Sequence, residues 1–281
     1  MNKPVATPQR TKEIMKKYDL HARKGFGQNF LIDPVRTKQI AELSRSEDAV
    51  IEIGPGIGSL TEQLALVSRH VRAYEIDLRL KEVLEETLAP YDNVEIIFQD
   101  ILEADIAGSA AELKEKYGRV SVCANLPYYI TTPVLFRLFE NGQDIDTITV
   151  MVQKEVGERI GAEVNDKEYS ALSVECQYLY DVEKVLDVPK TCFMPSPKVD
   201  SIILRFTKKE VPDTEEEKKA FFTFVKACFK QRRKTIFNNL KEIQPDAEKI
   251  RDALERADID PGVRAQQLTI EQVRKLYKEF S

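Results

Sequence analysis

Between residues 49 and 205, short apolar runs alternate with segments of helical composition, and that alternation constrains the fold more than any other feature of the chain. AVIEI, VRAYEI, VEIIF, VSVCA and TITVMV have the length and β-branched content of buried strands. LTEQLALV and LRLKEVLEETL, which lie between them, have helical spacing. Strands that alternate with helices predict a parallel sheet covered on both faces. Two later runs, VEKVLDV and VDSIILRF, predict a closing hairpin or edge pair.

The ends of the first three strands carry the first sign of chemistry. Strand one runs into Ile53-Gly54-Pro55-Gly56-Ile57-Gly58, where glycines permit a sharp turn and a close ligand approach. Ser59-Leu60-Thr61-Glu62 fits a capping box and predicts the helix start. Strand two ends in Tyr74-Glu75-Ile76-Asp77, and an acid at that tip suits the two hydroxyls of a ribose. Strand three ends in Gln99-Asp100, one strand further along the same edge, where a carboxylate can accept from an adenine amino group. Gly, Glu and Asp in that order predict an adenosine-containing cofactor. G-P-G-I-G departs from the G-x-G-x-x-G of a pyrophosphate turn, which favours S-adenosylmethionine over NAD. No GK[ST] follows, so P-loop chemistry is excluded.

NLPYYITTP (125–133) follows the fourth strand. The plain reading of Asn-Pro-Tyr is a turn. Beside a cofactor loop it offers more. Asn125 has one acceptor, and Leu126 contributes a carbonyl that Pro127 restricts, so the pair can grip both protons of an exocyclic amine. Tyr128 supplies a flat face for an unstacked base, an interaction typically worth about 1–3 kcal/mol. The predicted reaction is methylation of an adenine or cytosine amine, driven by positioning and electrostatics without a dedicated general base.

Charge is uneven along the chain. The net charge is −5, yet residues 221–241 carry six basic side chains and no acid, and residues 1–24 carry seven Lys or Arg against two acids. Overall acidity argues against non-specific nucleic-acid binding, and the two clusters keep specific binding open. Phe221, Phe224, Val225, Cys228 and Phe229 predict the core face of a helix through 221–241. Lys226, Lys230, Arg233, Lys234 and Lys241 predict an opposing stripe for phosphates. TKKEVPDTEEEKK (207–219) reads as a linker, and the helical patterns beyond it predict an all-α second domain. The expected organisation is a basic N-terminal arm and helix (1–24) that orders on substrate, an α/β domain (25–206), the linker, and a helical RNA-binding domain (220–281). Four scattered cysteines without CxxC spacing, and two histidines, argue against zinc and for reduced thiols in a cytoplasm. MNKPVATPQRTKEIMKKYDL lacks the apolar stretch of a secretory signal, and no run approaches the length of a membrane span.

GQNFLID (27–33), IEIGPGIG, YEID, QDIL, NLPYY, FMPSPKVDS (193–201) and QRRKTIFNNL (231–240) occur in this order. Through them the chain resembles the ribosomal RNA adenine N6,N6-dimethyltransferases, most closely the branch that acts on small-subunit (16S) RNA. The resemblance runs from about residue 10 to residue 270. It implies a Rossmann-like S-adenosylmethionine-dependent methyltransferase domain with a smaller helical domain. The reaction implied is dimethylation of two adjacent adenosines near the 3′ end of 16S ribosomal RNA, within an immature small subunit, by a monomer. It implies that Gln28, Asn29, Leu31, Gly54, Gly56, Glu75, Ile76, Asp100, Ile101 and Asn125 hold the cofactor. Asn125, Leu126, Pro127, Tyr128 and Phe193 would form the catalytic site, with Tyr128 and Phe193 sandwiching the adenine; from the residues alone Phe193 fits a core position equally well. Arg23, Lys24, Lys226, Lys230, Arg232, Arg233 and Lys234 are the expected RNA contacts. Relatives that methylate large-subunit RNA and confer macrolide resistance share the glycine loop and N-[IL]-P-Y, but NLPYYITTP and QRRKT…NNL favour the small-subunit branch. The alternatives are that large-subunit activity, an assembly factor acting by binding, and a Rossmann oxidoreductase.

Overall fold

The computed structural model describes residues 4–20 and 28–280. The chain divides into two units, Met1–Gly157 with Glu183–Lys208, and Glu158–Val182 with Lys209–Ser281. The first contains α1 (Pro8–Lys17), β1 (Phe30–Leu31), α2 (Pro34–Leu43), β2 (Ala49–Ile53), α3 (Thr61–Val67), β3 (His70–Glu75), α4 (Lys81–Thr87) and β4 (Val94–Phe98). It continues through α5 (Ile106–Tyr117), β5 (Val120–Asn125), α6 (Thr131–Asn141), β6 (Thr147–Gln153) and the start of α7 (Lys154–Ile160). α8 (Ala171–Leu179) belongs to the second unit. Most of β7 (Tyr180–Val188), then β8 (Phe193–Met194) and β9 (Ser201–Lys208), return to the first.

Seven strands form one sheet in the order β4-β3-β2-β5-β6-β9-β7. β4, β3, β2, β5 and β6 are parallel, and β9 runs antiparallel to β6. Every residue of β2 is buried, as expected for a central strand with both faces covered. The chain leaves β2 toward β3 and β4 on one side, then returns to add β5 and β6 on the other. Ligands in such sheets bind outside the carboxyl ends at this reversal. The register brings those ends level: Ile53 lies opposite both Tyr74 and Ala124, and Glu75 opposite Phe98.

The second unit adds α9 (Glu215–Cys228), α10 (Ile236–Leu240), α11 (Ala247–Arg256) and α12 (Ile270–Lys278). Its core joins Phe221, Phe224, Val225 and Cys228 of α9 to Val174, Ile236, Leu240, Leu254, Val273 and Leu276.

Four expectations change. The linker is shorter than 207–219: β9 runs to Lys208, and α9 begins at Glu215 behind a Thr214–Glu217 capping box. Three glutamates in that first turn suit the positive helix end, so a charged stretch that reads as linker is helical. The 25–206 boundary is also incomplete, because 158–182 leaves for the second unit, where Val174 and Tyr169 join its core. The N-terminal segment is no loose arm over its described residues. Ile14 and Val5 are buried, and Glu86 of α4 accepts from Arg10 (2.7 Å), Lys17 and Tyr18 (2.6 Å). Glu86 is thereby held at about 2, mainly by Lys17. Finally, α3 starts at Thr61 without a side-chain cap. Glu62 accepts instead from the Val5 N–H (3.0 Å) and the Tyr91 hydroxyl (3.1 Å).

Candidate active site

At the level ends of β2, β3, β4 and β5 the first unit has a cavity of about 320 Å³. Gly54, Gly56, Glu75, Asp100 and Asn125 all line it, although they come from four different strand ends. Gln28, Asn29 and Leu31 border it from the segment around β1, and Ile76 and Ile101 from the turns after β3 and β4. Leu126, Pro127 and Tyr128 complete the wall.

The loop after β2 depends on its glycines. Gly56 has φ +61° and donates its N–H to the Glu75 carboxylate (3.1 Å). Gly58 has φ +88°, and a Cβ there would stand 2.9 Å from Thr87 Oγ1. At Gly54 (φ +71°) a Cβ would meet nothing within 4 Å, so any side chain would project into open space at the cavity. Glu75 is nearly buried; its other oxygen accepts from the Asp77 N–H (2.9 Å), and burial raises its pKa despite both backbone donors. Asp100 uses Oδ1 to accept from the Leu102 N–H (2.9 Å), which fixes the carboxylate at the strand end.

Asn125 donates Nδ2 to the Asn29 carbonyl (3.3 Å) and borders the cavity. The Pro127 carbonyl closes the following turn by accepting from the Ile130 N–H (3.1 Å). Tyr128 is half-buried and its hydroxyl meets Ser201 Oγ at 2.9 Å. Burial raises the pKa of that phenol.

Two lining or supporting acids escape the sequence reading. Glu52, buried within β2, has Oε2 without a hydrogen bond. Burial, with the neighbouring charge of Glu75, pushes its carboxyl up to about 8. The signal was available: one acid inside an otherwise apolar AVIEI strand. Asp77 accepts from Gln28 Nε2 (2.8 Å) and from Arg79 (2.6 Å), which ties the segment before β1 to the tip of β3. Burial opposes its charge, but those donors prevail and hold its pKa below the ordinary value.

Phe193 lies elsewhere. It is 3 % exposed, pairs with Leu31 across the short β1–β8 ladder, and packs with Leu31, Ile40 and Cys192 in a hydrophobic cluster. It does not border the cavity, and its side chain packs within this cluster.

The basic stripe is also corrected. α9 ends at Cys228, residues 229–235 are non-helical, and α10 is a separate element, so no single helix face joins Lys226 to Lys241. Asn239 bridges the break, accepting from the Gln231 N–H (3.1 Å) and donating to its carbonyl (3.3 Å). Lys226 lies 3.7 Å from the buried Glu175 carboxylate, Lys230 pairs with Glu242, and Arg232 donates to the Lys167 carbonyl. Arg233 and Lys234 are exposed in the break. Arg23 and Lys24 lie outside the described residues.

Residues 19–281 match the model of the ribosomal RNA adenine dimethylase family, and the chain belongs to that family. A Staphylococcus epidermidis protein named ribosomal RNA small subunit methyltransferase A is 47% identical over 284 residues, covering 99% of this chain and 96% of its own. The Bacillus pumilus protein of the same name is 47% identical, covering 98% and 97%. Among solved structures, a dimethyladenosine transferase from Plasmodium falciparum superposes with a TM-score of 0.75 at 25% identity, over 89% of this chain and 97% of that one. The 23S rRNA methyltransferase ErmE gives 0.68 at 29%, over 89% and 99%.

Proposed function

We propose that this protein dimethylates the N6 amines of two adjacent adenosines near the 3′ end of 16S ribosomal RNA, using S-adenosylmethionine, during small-subunit biogenesis. The observation that carries the reading is one cavity in which a glycine turn, two strand-tip acids and an Asn-Leu-Pro-Tyr turn meet. The protein is an S-adenosylmethionine-dependent ribosomal RNA methyltransferase; we take it further to be cytoplasmic and to act as a monomer. Among the described residues no helix is long and apolar enough to cross a membrane.

The residues suit the donor. Glu75, Ile76, Asp100 and Ile101 line one cavity, which supports Glu75 as acceptor for the ribose hydroxyls, Asp100 as acceptor for the adenine amine, and the two isoleucines as apolar contacts for the base. Glu52 lines the same cavity with a buried oxygen that has no hydrogen bond and that a donor group of the ligand would satisfy. S-adenosylmethionine supplies an electrophilic methyl on a positive sulfur.

Adenine N6 is a poor nucleophile because its lone pair is delocalised into the ring. Asn125 Oδ1 and the Leu126 carbonyl accept its two N–H bonds, favour a pyramidal nitrogen and aim the lone pair across the cavity. Tyr128 stacks the base so that this geometry persists. Fixed acceptors of this kind lower the barrier because they need no reorganisation during the reaction. Each transfer breaks the donor's sulfur–methyl bond, leaves a neutral thioether and releases one N6 proton to solvent. After the first, one N–H remains, so the second proceeds with only one of the two acceptors engaged. Exposed Arg233 and Lys234 are the described cations of the expected RNA set best placed for phosphates.

The likeness to ErmE supports a second reading, methylation of large-subunit RNA. The 47% relatives named for the small subunit outweigh its 29% identity. The test is methyl transfer from labelled S-adenosylmethionine to unmethylated small subunits and to large subunits, with nucleoside mapping. N6,N6-dimethyladenosine on small subunits alone is expected. Label on large subunits favours the second reading. Tight binding without label would favour an assembly factor that acts by binding.

A further inference from the structure

Tyr128 is held at two points, and only one of them belongs to its own loop. Its backbone sits in the turn closed by the Ile130 N–H and the Pro127 carbonyl. Its hydroxyl, at the far end of the ring, meets Ser201 Oγ at 2.9 Å. Ser201 is 1 % exposed and does not border the cavity. It opens β9 opposite Gln153, and its neighbour Asp200 is fixed on both sides. The Asp200 carbonyl accepts from the Lys154 N–H (3.0 Å), and its carboxylate from the Lys190 N–H (2.9 Å). Ser201 is therefore buried on backbone that is fixed at the start of β9. A tyrosine ring bordering an open cavity would otherwise rotate about χ1, and a stacked base would inherit that freedom.

We propose that Ser201 is a positioning residue for methyl transfer: its hydroxyl pins the Tyr128 ring so that a base stacked on it keeps its amine facing Asn125. The proposal rests on the reading of Tyr128 as the base platform. It predicts that losing the tether slows the transfer step and leaves donor binding untouched, because Ser201 touches neither ligand.

The experiment is single-turnover methylation of unmethylated small subunits at saturating RNA, with S-adenosylmethionine affinity measured separately. The variants are Ser201→Ala, Ser201→Thr, Tyr128→Phe, Tyr128→Ala and the double variant Ser201→Ala/Tyr128→Phe. One hydrogen bond's typical net strength predicts that Ser201→Ala and Tyr128→Phe each slow transfer by about 3- to 10-fold. The double variant is expected to be no slower than the slower single one, since both remove the same bond. Ser201→Thr, which keeps a hydroxyl, should restore most of the rate. Additive losses, or wild-type rates in Ser201→Ala and Tyr128→Phe with an inactive Tyr128→Ala, would overturn the tether and leave the platform standing. Full activity in Tyr128→Ala would overturn the platform and the tether together. Should Ser201→Ala not fold, Tyr128→Phe decides alone: a wild-type rate overturns the tether.

Discussion

The strand-end cavity and the basic break at residues 229–235 use polar groups in opposite ways. At the cavity, charged groups are fixed by backbone: the buried Glu75 accepts from the N–H groups of Gly56 and Asp77, and the part-buried Asp100 from that of Leu102. In the break, the basic side chains are exposed, and Lys230 pairs with Glu242 and holds its carboxyl below its ordinary pKa. The two regions therefore contribute by different routes. The first acts through geometry that exists before any ligand arrives, so single atoms matter there. The second acts through screened charge, so its parts are individually weak and interchangeable.

The largest expected effect sharpens the comparison at the cavity. Asn125→Ala removes the side-chain acceptor for the amine and should lower the methylation rate about 10²- to 10³-fold, in the range seen when one fixed donor to a transition state is lost. The check is a single-turnover assay beside a thermal melt, with the melting temperature little changed.

Next is the glycine turn. Gly58→Ala meets both a positive φ and the Thr87 side chain, so it should destabilise the fold by roughly 1–3 kcal/mol. Gly54→Ala has the same backbone strain without the clash and should cost less stability. Denaturant unfolding of the two variants reads the difference directly.

Glu52 gives a pH-dependent test. Below about pH 4.5 the folded and unfolded chains both keep its proton, so the residue adds no slope. Between about 4.5 and 8 the unfolded chain releases the proton while the folded chain keeps it, so stability falls as pH rises. The slope approaches about 1.4 kcal/mol per pH unit and vanishes above pH 8. Glu52→Gln removes this term, so the variant should gain stability relative to the parent from pH 5 to pH 8 in paired melts. A constant difference across that range would show that Glu52 is ionised in the fold.

The smallest effects belong to the basic break. Arg233→Ala with Lys234→Ala should weaken RNA binding uniformly across sequences and reduce the log–log salt slope by about 2. Lys230→Ala, which frees Glu242 while removing one paired cation, should change the slope less. Equal slopes in all three proteins would break the electrostatic half of the comparison.

These two regions also differ in how far the sequence disclosed them. Gly54, Glu75, Asp100 and Asn125 were legible because each ends an apolar run, and parallel strands in register carry their ends to one edge whatever the rest of the chain does. The break at 229–235 was not legible, because the contact that interrupts the helix joins Gln231 to Asn239, and helical spacing alone runs straight through both. Glu62 misled for a similar reason: its sequence neighbour Ser59 suggested a cap, but Val5 and Tyr91 claim its carboxylate from far along the chain. Phe193 could be singled out only by resemblance. A motif fixes its place in the chain, while its side chain follows the β1–β8 pairing into the core.

The strand ends are proposed to hold the methyl donor, and Asn125 to act on the acceptor. A calorimetric titration of S-adenosylmethionine into the protein without RNA, for the parent, Asp100→Ala and Asn125→Ala, tests it most directly. Loss of a charged hydrogen bond should weaken donor binding to Asp100→Ala by about tenfold or more, while Asn125→Ala, which borders the same cavity, should weaken it less. Undiminished affinity in Asp100→Ala would contradict the claim.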